Sequence, residues 1–106
     1  MKNLALEYLE EAEESLEDYD GMCGELVDAM IHWYGEDRHV GILYISPPSE
    51  YEMIRTEHDP IGWCYHMVAI IDDLVHDPWY PTLVLPPDEY VKSAFPNQRL
   101  DYEVTA

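Results

Sequence analysis

Positive charge is what this chain has least of. Five Lys or Arg residues stand against 23 Asp or Glu, a net charge of −18 with the five histidines neutral. Direct nucleic-acid binding is excluded, because phosphate would be repelled by such a surface. Three readings of the acidity are open. It can be a solvated surface suited to a salty or crowded setting, a docking face for a basic protein partner, or mimicry of a phosphate array, which needs carboxylates in rows at duplex-like spacing. Cysteine is almost as scarce. Cys23 and Cys64 are the whole complement and make no disulfide framework. No apolar run approaches the length that spans a bilayer, so no membrane partner is expected. The opening MKNLALEYLEEAEESLED turns acidic early and lacks the basic flank and apolar run of a signal peptide. A cytoplasmic protein with reduced thiols is the expectation. Repeats, low-complexity tracts and linkers are absent too, so 1–106 is expected to be a single domain. Phe occurs once against nine Tyr, so much of the core or rim carries a hydroxyl that needs a partner.

What is present falls into periodic segments. Ala5, Tyr8, Leu9, Ala12, Leu16 and Tyr19 recur at three- and four-residue steps, which predicts a helix over 3–18 with an acidic outer face. Asn3 is its natural cap. Asp20-Gly21 is a turn signal, and Met22 to Tyr34 keeps helical period until Gly35. Cys23 thus falls in a first helical turn, where backbone N–H groups are unpaired and the dipole is positive. Arg38 to Ser46 changes to an alternating period and reads as a strand buried on both faces. A short strand is predicted at Tyr51 to Arg55, then a loop through Asp59-Pro60. Thr82 to Leu85 reads as extended, Asp88 to Phe95 as a short helix, and Leu100 to Val104 as a last strand.

The most strongly patterned stretch is Gly62 to Tyr80, GWCYHMVAIIDDLVHDPWY, which reads as a β-hairpin. Alternate strand residues share a face, so Cys64, His66, Val68 and Ile70 lie together. With Asp72-Asp73 as a two-residue turn, Ile71 pairs with Leu74, Ala69 with His76 and Val68 with Asp77. Asp77 then shares a face with His66 at a diagonal position, within reach of an imidazole–carboxylate bond. His76 goes to the opposite face. A turn longer by one residue would exchange the two. A carboxylate on one imidazole nitrogen fixes the tautomer and leaves the other nitrogen as a base. A thiol at a helix start beside a histidine is expected to lose its proton readily. The first-turn N–H groups there would also face the oxyanion of an acyl intermediate.

Gly21-Met22-Cys23 opening a helix, Tyr65-His66-Met67-Val68 on a strand, and Val75-His76-Asp77-Pro78-Trp79 after a hairpin turn resemble the papain-like cysteine peptidase superfamily, including its transglutaminase-like and NlpC/P60-like branches. The resemblance covers roughly residues 18–95 in layout, through short motifs. It implies Cys23 as nucleophile, His66 as base and Asp77 as the orienting acid of a peptidase, amidase, deamidase or transferase. It also implies a Gln upstream of the cysteine in the oxyanion hole, and this chain has none there; its one Gln is Gln98.

Each of these residues has a plainer role open to it. A lone Cys in an apolar helix is usually a small core residue. Asp77 before Pro78 can simply build a turn. Cys64 is a rival thiol on the face of His66, and Cys64, His66 and Cys23 with Asp77 or His76 are zinc-capable side chains, although no Cys-x-x-Cys or i, i+4 His pair supports a metal. The expectation is therefore an α+β domain with two N-terminal helices packed on a small antiparallel sheet, a papain-like core and a short C-terminal helix. It would use Cys23, His66 and Asp77 without cofactor or metal on a protein or peptide substrate. The alternative is a non-enzymatic acidic protein, with a degenerate papain-like fold, that binds or blocks a basic or nucleic-acid-binding partner.

Overall fold

A computed structural model describes residues 2–105. Asn3 caps the first helix, α1 (Leu4–Glu11), its side-chain oxygen accepting from the N–H groups of Ala5 and Leu6. This helix is shorter than its period suggests. Glu13 takes a left-handed φ of 57°, and Ser15 with Asp18 forms a fresh capping box that starts a 3-10 turn at Leu16–Tyr19. The hydroxyls of Tyr8 and Tyr19 both donate to the Glu14 carboxylate and tie the two pieces together. Gly21, at φ +74°, supplies the turn into α2 (Cys23–Tyr34).

Six strands follow. β1 (Val40–Ser46), β4 (His66–Ile71), β5 (Leu74–His76) and β6 (Asp101–Thr105) form one antiparallel sheet in the order β5-β4-β1-β6. β2 (Ile54–Thr56) and β3 (Asp59–Trp63) form a separate two-stranded ribbon. The ribbon departs from expectation: its first strand starts later than Tyr51, and Asp59-Pro60 lies in a strand rather than a loop. Proline is tolerated where one strand edge needs no ladder bond. Thr82 to Leu85 forms no strand, though the Leu85 carbonyl accepts the Val75 N–H at 2.8 Å and covers the outer edge of β5. α3 (Pro87–Ala94) places a proline in its first turn, where no N–H is needed.

The sheet separates two apolar clusters. Ala69 and Ile71 face α1 and α2 through Leu4, Tyr8, Leu26 and Met30. Leu43, Ile45, Val68, Ile70 and Val75 face α3 and its approach through Tyr80, Tyr90 and Phe95. β1 is thus not buried on both faces: Leu43 and Ile45 are buried, while Tyr44 is exposed. The result is an α+β arrangement of three helices on a mainly antiparallel sheet.

Candidate active site

The hairpin register sets the site. Ile71 pairs with Leu74, Ile70 with Val75 and Ala69 with His76. Asp72 and Asp73 both take positive φ, 53° and 68°, which is the type I′ geometry whose twist suits a two-residue hairpin. Asp77 therefore falls on the α3 side with His66, and His76 on the α1 side. β5 ends at His76 while β4 runs on to His66. The Met67 amide, beyond the end of β5, is left for another acceptor.

Cys23, the first residue of α2, is brought to this end of β4: it lines one small cavity with His66, Met67 and Asp77, where the His66 imidazole and the backbone amides of Met67 and Gly24 favour its thiolate. α1 and α2 differ at this point. Asn3 fills the N-terminus of α1, whereas Met22 gives α2 no side-chain cap, so its first amides stay available.

His66 and Asp77 are buried, at 3% and 0% exposure. His66 Nε2 lies 2.8 Å from Asp77 Oδ2, which leaves Nδ1 for the thiol. The carboxylate takes two more donors: the Trp79 N–H at 2.9 Å on Oδ1, and the Tyr90 hydroxyl on Oδ2. Asp77 thus builds the turn its place before Pro78 suggests and holds the imidazole as well. The Asn3 amide fixes the Asp77 backbone carbonyl at 2.9 Å. Trp63 stacks on the His66 ring, with centroids 4.3 Å apart and planes 19° from parallel. Phe95 meets the same ring edge-on at 6.2 Å. Gly62 makes that placement possible. Its φ is +96°, and a Cβ there would stand 2.6 Å from the Ile54 carbonyl oxygen.

The electrostatics favour an ion pair. Burial alone would push the Cys23 thiol up, but the His66 imidazole and the two backbone amides outweigh it, and its pKa falls below the ordinary value. Burial likewise opposes a charge on His66, yet the Asp77 carboxylate and the thiol raise its pKa to about 9. Both shifts run toward a thiolate facing an imidazolium. Burial holds Tyr90 well above the usual phenol range, so it stays a donor to Asp77.

Space is uneven around these groups. Between Cys23, His66 and Asp77 and the α2 core the cavity is only about 10 Å³, room for no more than a water. On the open side a cavity of about 250 Å³ reaches both Cys23 and His66 between Tyr19, Trp63 and Trp79. The largest concavity, about 760 Å³, lies between Arg55, Tyr80 and Gln98 and touches neither Cys23 nor His66. The chemistry makes the smaller cavity the relevant one.

The other polar residues separate clearly. Cys64 is exposed and lies between β3 and β4, outside the strand that carries His66. His76 is buried, and its Nδ1 accepts the Leu4 N–H at 3.0 Å. His32 and His39 are exposed, while His58 sits among the rings of Trp63, Trp79 and Tyr80. Gln98 spends its amide on the Arg55 backbone, accepting from N–H and donating to the carbonyl, both at 2.8 Å. Among the described residues no group of three His, Cys, Asp or Glu side chains is placed to hold a metal ion. Tyr90 is the site residue that sequence reasoning missed; the surplus of tyrosines announces a need for partners without saying which. Comparison with protein-family models, with curated proteins and with solved structures gave no significant match.

Proposed function

We propose that the protein is a papain-like, thiol-dependent acyl-group enzyme: a peptidase, amidase, deamidase or transferase. The observation that carries this is the buried 2.8 Å His66–Asp77 bond on an imidazole that shares a cavity with Cys23 and favours its thiolate. The Cys23 thiolate adds to a substrate carbonyl carbon, forming a C–S bond and moving the C=O pair onto oxygen. The uncapped first amides of α2, the helix that Cys23 begins, would donate to that oxygen. When the adduct collapses, the bond to the leaving nitrogen or oxygen breaks and the His66 proton goes to that atom. Water, or an acceptor amine, then adds to the thioester and gives a proton to His66. The C–S bond breaks with its pair on sulfur, which restores the thiolate and imidazolium. Asp77 holds the ring throughout and stabilises its charge.

Alkylation by iodoacetamide tests this. Cys23 is expected to react faster than Cys64 and faster than a small free thiol at pH 6 to 7, and to lose that advantage in His66→Ala. Equal rates at the two cysteines would remove the enzyme reading.

A second reading has its own support. Among the described residues Lys2–Glu7 and Arg38–Asp72 are the two ion pairs made by Lys or Arg, so most of the 23 carboxylates are uncompensated. An acidic protein that covers a basic partner would use such a surface. Its signature is salt-sensitive binding to a basic protein, retained in Cys23→Ala.

A further inference from the structure

The cavity beside Cys23 and His66 has an unusual wall. The carboxylates of Asp20 and Asp59 line it, together with the rings of Tyr19, Trp63, Tyr65 and Trp79, and no Lys or Arg reaches it. Asp59 Oδ1 accepts the Ile61 N–H at 2.9 Å. Neither carboxylate is in an ion pair among the described residues. The one cation on the wall, the His66 imidazolium, is already paired with Asp77 and faces Cys23; the five Lys and Arg side chains are elsewhere. Lys2 and Arg38 are held by Glu7 and Asp72, Arg55 bonds the Asn97 carbonyl, and Lys92 and Arg99 border a different cleft beside α3.

Both wall components select for the same charge. Two carboxylates in a concave site focus a negative potential into it. Aromatic faces attract organic cations more strongly than neutral groups of the same size. A sphere of the cavity's volume, about 250 Å³, is about 8 Å across, so a bound cation sits within short Coulomb range of both carboxylates. An anionic group would meet the same two charges unfavourably and gain nothing from the rings.

We propose that this cavity receives a cationic group of the acyl substrate, an alkylammonium or guanidinium lying within a few atoms of the carbonyl that Cys23 attacks. The proposal rests on Cys23 being the nucleophile. It narrows the substrate from amides in general to those carrying an organic cation beside the scissile bond.

Charged methanethiosulfonates test it on the whole chain, in a Cys64→Ser background so that one thiol reacts. The thiolate displaces methanesulfinate and forms a mixed disulfide, whatever the reagent's charge. The ratio of the 2-(trimethylammonium)ethyl rate to the 2-sulfonatoethyl rate cancels the nucleophilicity of the thiol. At Cys23 that ratio is expected to exceed the ratio at N-acetylcysteinamide by at least about tenfold. Asp20→Asn with Asp59→Asn is expected to cut it about 4- to 9-fold, since each charge a few Å away contributes a factor of roughly two to three. Glu36→Gln with Asp37→Asn removes the same charge at the far end of α2, roughly 18 Å along the helix, and is expected to change it less than about twofold. Should the first pair impair folding, Asp20→Asn alone, at an exposed turn, carries the test with about half the effect on a logarithmic scale. A ratio equal to that of the free thiol, or equal losses in the near and far pairs, would overturn the proposal. In either case rapid reaction with iodoacetamide would leave the nucleophile standing. Slow reaction with iodoacetamide would overturn both.

Discussion

His66 and His76 sit on adjacent strands with nearly the same exposure, 3% and 4%, yet they carry opposite charge preferences. Burial pushes both imidazoles toward the neutral form. At His66 the Asp77 carboxylate overcomes it and the pKa rises to about 9. At His76 burial prevails: among the described residues no carboxylate is bonded to the ring, and the weak pull of Asp72 is opposed by Arg38. The His76 Nδ1 instead accepts the Leu4 N–H, and its pKa falls below 6.5. One histidine caps the start of α1 as a neutral acceptor, while the other is poised as a charged partner for Cys23. The difference shows that burial alone does not decide a histidine's state. The partner does, and here the partner is chosen by strand parity.

The comparison breaks most completely at Asp77. Removing one member of a buried ion pair strands the other, at a typical cost of about 3–5 kcal/mol. Asp77→Ala is expected to lose stability on that scale in urea titration. In the milder Asp77→Asn, the His66 pKa read by NMR titration is expected to drop below 6.5 while that of His76 stays put. If His66 remained charged at neutral pH in Asp77→Asn, the carboxylate would not be what distinguishes the two.

Their pH dependences are expected to cross. Folded His66 holds its proton more tightly than the unfolded chain does, so its contribution is fully present below pH 6.5 and is lost as pH rises through about 9. Folded His76 holds its proton less tightly. Its contribution is present above pH 6.5 and is lost as pH falls below that value. The stability cost of His66→Gln should therefore shrink by up to about 3 kcal/mol between pH 6 and pH 9, less where the thiol's share of the rise is removed with Cys23, whereas the cost of His76→Gln should shrink on the acid side. Cys23→Ala is the right background, because a thiol whose folded pKa is lowered has a linkage of the sign opposite to that of His66. Parallel profiles for the two variants would contradict the contrast.

Tyr90 offers a finer probe, since its hydroxyl shares Asp77 Oδ2 with the imidazole. Tyr90→Phe removes one charge-assisted hydrogen bond and is expected to cost about 1.5–3 kcal/mol. With a donor gone, the carboxylate leans harder on His66, whose pKa should move up and not down. A downward shift would mean that Tyr90 stabilises the imidazolium, and not the carboxylate.

How much of this was legible follows from how local each determinant is. The pairing of Asp77 with His66 depends on one tight turn, and Asp72-Asp73 can take the positive φ values that fix it, so counting residues sufficed. The capping of α1 by Asn3 is equally local. The early end of α1 was written at Ser15 and Asp18, but the apolar spacing through Leu16 and Tyr19 hid it. Cys64 lies at a bend between β3 and β4, where strand alternation does not extend, yet it lines the same cavity as His66. Tyr90 and the role of Gln98 were beyond reach. Each acts across 13 and 43 residues of chain respectively, and no periodicity singles out one tyrosine of nine.

The smallest effect sharpens the comparison furthest. Trp63 stacks on His66 at 4.3 Å, and no aromatic ring is stacked on His76 among the described residues. A ring face attracts an imidazolium more than a neutral imidazole, typically by about 0.5–1 kcal/mol where water is near. Trp63→Leu keeps an apolar side chain there and removes the π face. The His66 pKa is expected to fall by less than about one unit, with His76 unchanged and the iodoacetamide rate at Cys23 reduced only a few-fold. A fall as large as that in Asp77→Asn would mean that Trp63 orients the ring into its bond with Asp77. No fall at all would mean that the stacking is packing alone, and that the charge on His66 comes from Asp77 and Cys23 without help from the ring above it.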